Sequence, residues 1–579
     1  MIKKNTMKKS ILFNMKYIRF NVRWLMILGL SFIICHLSFS SVAAQSWASK
    51  VAKSVFTLKT FAADGSLIGS TNGFFVSENG DAVSSYTPFA GAVRAVVIDA
   101  TGKELPVDCM LGANEMYDVA KFRVAGKKLQ ALTIAGNNAQ NGQKVWMIPY
   151  SVKKPEPVGG EVDKAETIQE SYTYYTVKMQ MPENTVGCPL LNDNGEVIGL
   201  MQQPARQGDA LSYAISVRYV NDMKITGLSL NDASLQKTKI KMAMPDNKDD
   251  ATLMMYLAGS TRDSLSYVRA IEDFIAKFPE AEDGYISRAQ LAFKRNDFTA
   301  AARDMEQAIK VTNPKDNAHY AYAQMIYQKE LAKSDIPFTD WSLDKAAEEA
   351  KEAYDISPLS AYKHLLGQIL FTQKKYDEAL AIFNELGTSD IRSAEVFYET
   401  ARCHEMKGDT TQMLALLDSA VNVFSKPYLK EAAPYIWARA IARMSVGKNR
   451  LAVQDMNEYE KLIATGLNAN FYYIREQAEI GGRQFQQALD DITKATQLEP
   501  NNPVYFAEKS SLETRVGMYD EAIASAQECI RLAPNDSDGY LFLGLAQCQK
   551  GNKKEGLAQL QKAKELGNEQ ADALIARYQ

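Results

Sequence analysis

The sequence predicts a multidomain protein in which an all-β domain is followed by an all-α superhelix of repeated helix pairs. The chain has 579 residues, more than one hydrophobic core usually organises. Short β-prone runs between Gly, Asn and Asp turns fill residues 45–227, and a 34-residue period marks the C-terminal part. We therefore divide the chain into an export signal at 1–44, a β domain at 45–227, a linker at 228–250 and repeats at 251–579.

The first 44 residues have the pattern of a secretory signal. Lysines and arginines precede an apolar run from Trp24 to Cys35, and the small side chains of Ala43 and Ala44 suit cleavage after Ala44. The apolar run is shorter than the roughly 20 residues of a membrane-spanning helix, so a retained anchor is only the alternative. We expect an exported protein, periplasmic or associated with the cell envelope, without stable membrane insertion after cleavage.

Charge and cysteine content narrow the classes of function. The 66 basic and 69 acidic residues nearly balance, so the composition predicts no nucleic-acid partner and no binding to an anionic membrane surface. The cysteines after the signal are odd in number and scattered, which argues against a disulfide framework, although one bridge stays open. The chain has no CxxC or HExxH pattern, and we expect no metal site and no cofactor.

The β domain consists of short runs rich in Val, Ile, Phe and Thr, separated by turn residues. Strands of this length and spacing are typical of a sandwich or a barrel. Periodicity alone does not separate these two architectures. The clearest runs are Val55–Lys59, Gly73–Val76, Val93–Ile98 and Lys144–Ile148.

One segment carries a family resemblance. Met181–Leu200 reads MPENTVGCPLLNDNGEVIGL, with an apolar strand on each side of an Asp-Asn-Gly turn. It resembles the nucleophile loop of trypsin-type serine proteases, most closely the HtrA type, in which Gly-Asn-Ser-Gly-Gly-Pro-Leu precedes a hairpin and Gly-Glu-Val-Ile-Gly. Further segments match this family in the same order. The resemblance therefore implies a trypsin-like double β-barrel, supported by Gly73–Gly80, Tyr117–Phe122 and Ser212–Ser216.

The same resemblance implies that the catalytic triad is degenerate. Thr87 stands where the family has its histidine, Asp118 matches the aspartate, and Val186 replaces the serine. Asn184 replaces a glycine of the oxyanion hole, where a side chain restricts the backbone. Residues 45–227 also contain no histidine, so no imidazole is at hand locally to activate a nucleophile. Because loss of a triad serine or histidine lowers turnover on the order of 10⁶-fold, we predict a pseudoprotease with no catalytic residues.

Cys188 leaves an alternative open. It lies two residues after Val186 and is a candidate displaced nucleophile of an active serine or cysteine peptidase with a non-standard arrangement. A thiol next to Pro189 is more typical of a packed side chain, and we expect Cys188 to be one. Asp118 is likewise expected to cap backbone amides rather than to act as part of an acid–base pair.

Residues 228–250 are polar and show no period, which favours a linker. From 251 onward aromatic, small and proline positions recur. The spacing resembles the tetratricopeptide repeat, in which small residues let paired helices approach closely. Looser copies upstream bring the expected total to about eight or nine helix pairs. The positions spaced by 34 residues are Phe485, Tyr519 and Lys553, then Ala488, Ala522 and Gly556, then Ala495, Cys529 and Ala563.

Together these observations predict an exported, non-catalytic scaffold or chaperone-like adaptor. The resemblance to tetratricopeptide repeats implies protein or peptide partners bound in the concave face of the superhelix. The β domain offers a second route, because strand addition at the edge of its second barrel needs only backbone hydrogen bonds.

Overall fold

The computed structural model describes residues 47–152, 156–168, 172–206, 208–260, 264–333, 336–463 and 465–579. The predicted export signal at 1–44 lies outside these residues. The chain divides into two compact units, one ending at Arg288 and one beginning at Ala289.

The first unit contains two closed antiparallel barrels of six strands each, with strand orders β1-β2-β3-β6-β5-β4 and β10-β11-β12-β9-β8-β7. A short 3₁₀ helix, Thr87–Phe89, follows β3. The strands of the first barrel are β1 Val55–Phe61, β2 Leu67–Phe75, β3 Asp81–Ser84, β4 Arg94–Ile98, β5 Glu104–Asn114 and β6 Val119–Val124. Those of the second are β7 Lys144–Met147, β8 Val158–Ile168, β9 Tyr172–Lys178, β10 Pro189–Leu191, β11 Val197–Met201 and β12 Leu211–Ser216.

Buried and partly exposed side chains alternate along the strands, and the buried ones fill the interior of each barrel. In β1, Phe56 and Leu58 are fully buried and pack with Phe122 in the core of the first barrel. In the second barrel, Val145 and Met147 of β7 alternate with the half-buried Trp146 in the same way. Successive side chains of a strand point to opposite faces, so this period-2 burial closes an apolar interior inside each sheet.

The segment predicted as a linker is structured over most of its length, and the interpretation of 228–250 needs correction there. Leu235 and Ile240 are buried in the core of the first barrel, and the backbone amide of Met110 donates to the carbonyl of Lys241 at 2.8 Å. The sequence hid this because exposed lysines alternate with the inward side chains of Thr238 and Ile240. The lysines made a period-2 segment look uniformly polar.

Helices make up most of the other described residues, and each packs mainly on its neighbours in sequence. Their bounds are α1 Tyr219–Asp222, α2 Ala233–Lys237, α3 Lys248–Ser260, α4 Ser264–Lys277, α5 Glu282–Lys294, α6 Phe298–Val311, α7 Asp316–Ala332, α8 Leu343–Ile356, α9 Ser360–Thr372, α10 Tyr376–Leu386, α11 Ala394–Met406, α12 Thr410–Asn422, α13 Ala433–Ser445, α14 Asn449–Leu462, α15 Ala469–Gly481, α16 Phe485–Leu498, α17 Pro503–Arg515, α18 Tyr519–Leu532, α19 Ser537–Lys550, α20 Lys553–Glu565 and α21 Ala571–Tyr578.

Small residues sit where these helices approach each other. Ala488 and Ala522 are fully buried. At the equivalent Gly556, an added Cβ would lie 2.4 Å from the sulfur of Cys548 and 2.8 Å from the carbonyl oxygen of Gly544. A larger side chain would therefore separate α19 from α20. The predicted fold class, a trypsin-like double barrel followed by an all-α repeat array, is confirmed.

Candidate functional site

A cleft of about 830 Å³ lies in the first unit, and the four predicted degenerate positions all line it. Thr87 comes from the 3₁₀ helix after β3, and Asp118 from the turn that joins β5 to β6. Asn184 and Val186 come from the loop before β10. The two barrels therefore each supply part of one cleft.

Asp118 is occupied by hydrogen bonds from the chain itself. Its Oδ1 accepts from the backbone amide of Thr87 at 2.6 Å and from the Thr87 hydroxyl at 2.8 Å. Its other carboxylate oxygen accepts from the hydroxyl of Ser85. The carboxylate thus holds the start of the 3₁₀ helix in place, and the group it orients at the histidine position is a hydroxyl that is not a base at neutral pH.

The loop before β10 is fastened to β2. The carbonyl of Val186 accepts from the backbone amide of Asn72 at 3.0 Å and from the Thr71 hydroxyl at 3.0 Å. The carbonyl of Asn184 accepts from the side-chain amide of Asn72 at 2.6 Å. Two neighbouring residues of the first barrel therefore fix the backbone of the second barrel's loop.

The backbone of the loop requires a glycine at position 187. The φ of Gly187, +83°, lies in the left-handed region, and an added Cβ would come within 2.1 Å of the carbonyl oxygen of Asn72. Any side chain here would push the loop away from β2. Asn184 also has a positive φ, of 58°, which asparagine tolerates better than most residues. The loop keeps a turn backbone, with the isopropyl side chain of Val186 at the predicted nucleophile position.

Comparison with known proteins agrees with this geometry. The trypsin-like peptidase domain family matches residues 71–200, and tetratricopeptide repeat families match residues 286–361 and 505–536. The chain carries a trypsin-like peptidase domain followed by tetratricopeptide repeats.

Curated relatives resemble the chain over about a hundred residues. The small glutamine-rich tetratricopeptide repeat-containing protein 2 of Mycosarcoma maydis is 27% identical over 113 residues, 20% of this chain and 29% of that protein. The heat shock protein STI1 of Saccharomyces cerevisiae is 30% identical over 101 residues, 17% of each chain. The SGT1 homolog of Bos taurus is 29% identical over 96 residues, 16% of this chain and 28% of its own length. The chain spans less than a third of the length of each.

Among solved structures, the active form of the Rv3671c protease from M. tuberculosis aligns with a TM-score of 0.28 and 16% identity. The alignment covers 32% of this chain and 84% of the protease.

Cys188 of the trypsin-like domain does not line the cleft. Its side chain is fully buried in the core of the second barrel, and burial raises the pKa of its thiol to about 12. A thiol that stays protonated at neutral pH and has no solvent access is a poor nucleophile. All five cysteines of the described residues are free.

The histidines of the described residues lie in the repeats, each beside a carboxylate of its own unit. His319 Nδ1 is 2.5 Å from a carboxylate oxygen of Glu349, and His364 Nε2 is 2.5 Å from one of Glu399. His404 Nδ1 is 3.3 Å from Asp409. Within the described ranges, no group of three or more His, Cys, Asp or Glu side chains is arranged to hold a metal ion. Nor is any helix of those ranges long and apolar enough to cross a membrane.

A second cavity, of about 490 Å³, lies among the repeats, and no residue was singled out for it from the sequence. It is formed by α7, α9, α10 and α11. The sequence of α11 contains one indication of this cavity. Four of its lining residues have the spacing i, i+3, i+4 and i+7, which places them on one face of the helix. The lining residues are Tyr327, Leu331, Gln368, Phe371, Thr372, Phe383, Glu395, Tyr398, Glu399 and Arg402.

Proposed function

We propose that the protein is an exported, non-catalytic interaction scaffold or chaperone-like adaptor, in which a trypsin-like domain without protease chemistry is joined to repeats that hold partner proteins. One observation carries the proposal. Where the trypsin family has its histidine and serine, this cleft has Thr87 and Val186. A threonine hydroxyl does not take up a proton at neutral pH, and an isopropyl group has no lone pair to attack a carbonyl.

The surroundings of these two positions support the same reading. The carboxylate of Asp118 accepts hydrogen bonds from Thr87 and Ser85, so its oxygens hold groups of the chain itself and orient no imidazole. Cys188 is buried behind the loop. The alternative of an active peptidase would need a base to activate one of the hydroxyls in the cleft wall, and residues 45–227 contain no histidine.

The cleft remains large enough to hold a peptide. Its lining includes the hydroxyl of Ser70 and the side-chain amides of Asn184 and Gln203, which are suited to hydrogen bonds with an extended backbone. Peptide retention without cleavage is therefore the role we assign to the trypsin-like domain. Similarity of the repeats to those of a heat shock protein favours the adaptor form of the proposal.

Active-site labelling tests the absence of protease chemistry. We expect the purified protein to show no covalent capture by a fluorophosphonate or an iodoacetamide probe in its folded state, and no cleavage of casein, with trypsin and papain as positive controls. In urea the cysteines should react with iodoacetamide, because unfolding exposes Cys188 and the other buried thiols. Capture in the folded state that disappears in Cys188→Ala, together with casein cleavage, would refute the pseudoprotease.

A second measurement tests export and partner binding. Fractionation of the native host should place the processed chain in the envelope fraction, with an N-terminus after Ala44. Cross-linking in that fraction should recover the same partner proteins from the wild type and from Cys188→Ala. A chain found unprocessed in the cytoplasm would contradict the exported scaffold.

A further inference from the structure

The cavity among the repeats has walls that are largely apolar. Tyr327 and Leu331 come from α7, Phe371 from α9 and Tyr398 from α11. Leu331 is 52% exposed, which is unusual for a leucine beside three aromatic rings. An exposed apolar surface bordered by polar groups is a common property of binding sites, because its contact with water is relieved when a ligand covers it.

Two carboxylates border these walls, and they differ in their partners. Both oxygens of Glu399 are engaged: Oε2 lies 2.5 Å from His364 Nε2, and Oε1 accepts from the Gln368 side-chain amide at 2.7 Å. Glu395 is exposed and accepts from the hydroxyl of Tyr435 at 2.8 Å. Among the described residues Glu395 forms no ion pair. Burial lowers the pKa of His364, but its hydrogen bond to Glu399 and the charges of Glu399 and Glu395 raise it overall, so a protonated His364 offsets part of the charge of Glu395.

The two positive groups at the cavity, those of Arg402 and His364, have contact partners other than Glu395. Arg402 lies with its guanidinium 5.1 Å from the centre of the Phe371 ring, and its Nε is 3.8 Å from a carboxylate oxygen of Glu405. The imidazole of His364 faces Glu399. The ring of Phe371 thus already accepts a cation on one face, which shows that the aromatic wall suits positive charge.

We propose that this cavity receives a lysine or arginine side chain from an extended segment of a partner protein, with the aliphatic stem against Leu331 and Tyr398 and the cationic head at Glu395. The proposal rests on the proposed scaffold function, since it names the chemistry by which the repeats select a partner. Lys and Arg combine an apolar stem with a charged end, and the cavity combines apolar walls with a carboxylate, that of Glu395, which forms no ion pair with a described residue.

Peptide display on the purified protein tests the proposal. Selection from a random peptide library should enrich sequences with Lys or Arg at one fixed position. An enriched peptide should bind Glu395→Gln about tenfold more weakly or worse, because glutamine still accepts from Tyr435 but carries no charge. Glu352→Gln, an exposed glutamate of α8 outside the cavity, is the matched control and should bind as the wild type does.

A peptide substitution makes the test independent of any change in the protein's folding. Replacing the enriched Lys by norleucine, which keeps the stem and removes the charge, should weaken binding to the wild type about tenfold and leave binding to Glu395→Gln unchanged. Enriched peptides without a basic position, or an equal norleucine effect on both proteins, would overturn the cavity assignment alone. Failure to enrich any peptide would overturn both the assignment and the role of the repeats in holding peptide segments.

Discussion

The two cavities differ in how their polar groups are satisfied. In the trypsin-like cleft the chain pairs its own groups, since Asp118 accepts from Thr87 and Ser85, and Asn72 holds the carbonyls of the nucleophile loop. In the repeat cavity the carboxylate of Glu395 accepts a hydrogen bond from the neutral hydroxyl of Tyr435 and forms no ion pair with a described residue. The paired groups of the cleft hold its shape, whereas a carboxylate without an ion pair leaves the repeat cavity a charged group for a ligand.

The same contrast extends to the interiors of the two units. Buried hydroxyls of the barrels donate to backbone carbonyls, as Ser84 does to Asn72 and Thr60 does to Pro88 at 2.6 Å. In the repeats, Glu476 and Glu479 are buried and each has one carboxylate oxygen without a hydrogen-bond partner. We therefore expect the stability of the barrels to depend most on substitutions that alter packing, and the stability of the repeats to depend most on pH.

The largest effect is expected from Gly187→Ala. The methyl group would meet the carbonyl of Asn72 at 2.1 Å in a backbone region that alanine disfavours, so the substitution should cost roughly 3 kcal/mol or more in the free energy of unfolding of the first unit. Gly65→Ala is the matched control, because Gly65 has the same φ of +83° with nothing within 4 Å of the added Cβ. Equal losses in urea denaturation would mean that the loop is free to move from β2.

An intermediate effect is expected from Glu476→Gln. Burial, together with the charge of Glu508, raises the pKa of Glu476 from 4.5 to about 8. Between these values the folded chain holds a proton that the unfolded chain has released, so this group makes the repeats less stable as pH rises from about 4.5 to about 8.

Glutamine imitates the protonated acid at every pH. The variant should therefore gain about 1–3 kcal/mol over the wild type at pH 8 and nothing at pH 4.5. Urea unfolding followed by circular dichroism at both pH values measures this difference. Glu378→Gln, on the exposed side of α10, should leave the pH dependence unchanged. A gain from Glu476→Gln that is the same at both pH values would show that the carboxyl does not titrate in this window.

The smallest effect is expected from Asn72→Ala. The substitution removes the side-chain amide that donates to the Asn184 carbonyl at 2.6 Å and to the Val186 carbonyl at 3.2 Å, but leaves the backbone amide of residue 72 on the Val186 carbonyl. The free energy of unfolding should therefore fall by about 1–2 kcal/mol. Hydrogen exchange of the amides of Gly187 and Cys188 should become faster as the loop loosens. Exchange that matches the exposed control Asn79→Ala would show that the loop is held mainly by backbone contacts.

Much of this architecture could be predicted from the sequence. Alternating burial in β1 and β7 and the 34-residue spacing of Ala488 and Ala522 leave a visible pattern, because secondary-structure period and helix contact act on residues close in sequence. The gathering of Thr87, Asp118 and Val186 in one cleft followed from the family resemblance. Periodicity alone would not have brought together residues about a hundred positions apart.

The rest depended on contacts that leave little trace in sequence. The repeat cavity takes Leu331, Phe371 and Tyr398 from three helices, and nothing in each helix alone shows which face its neighbours cover. The burial of Glu476 was missed for the same reason, since a glutamate in a helix is usually exposed. The position of Thr238 to Ile240 against the first barrel was missed because lysines on the outer face masked the alternation.

That last segment determines where the chain can be divided. A fragment that ends at residue 227 would lack Leu235 and Ile240, which are 3% and 7% exposed. Burial of each of these side chains stabilises the first barrel by about 1.5–3 kcal/mol, and the fragment would lose that stabilisation. Expression of the trypsin-like domain by itself, or its transfer to another protein by gene fusion, therefore requires a boundary after residue 243. The segment that follows the two barrels in sequence therefore also completes the core of the first barrel.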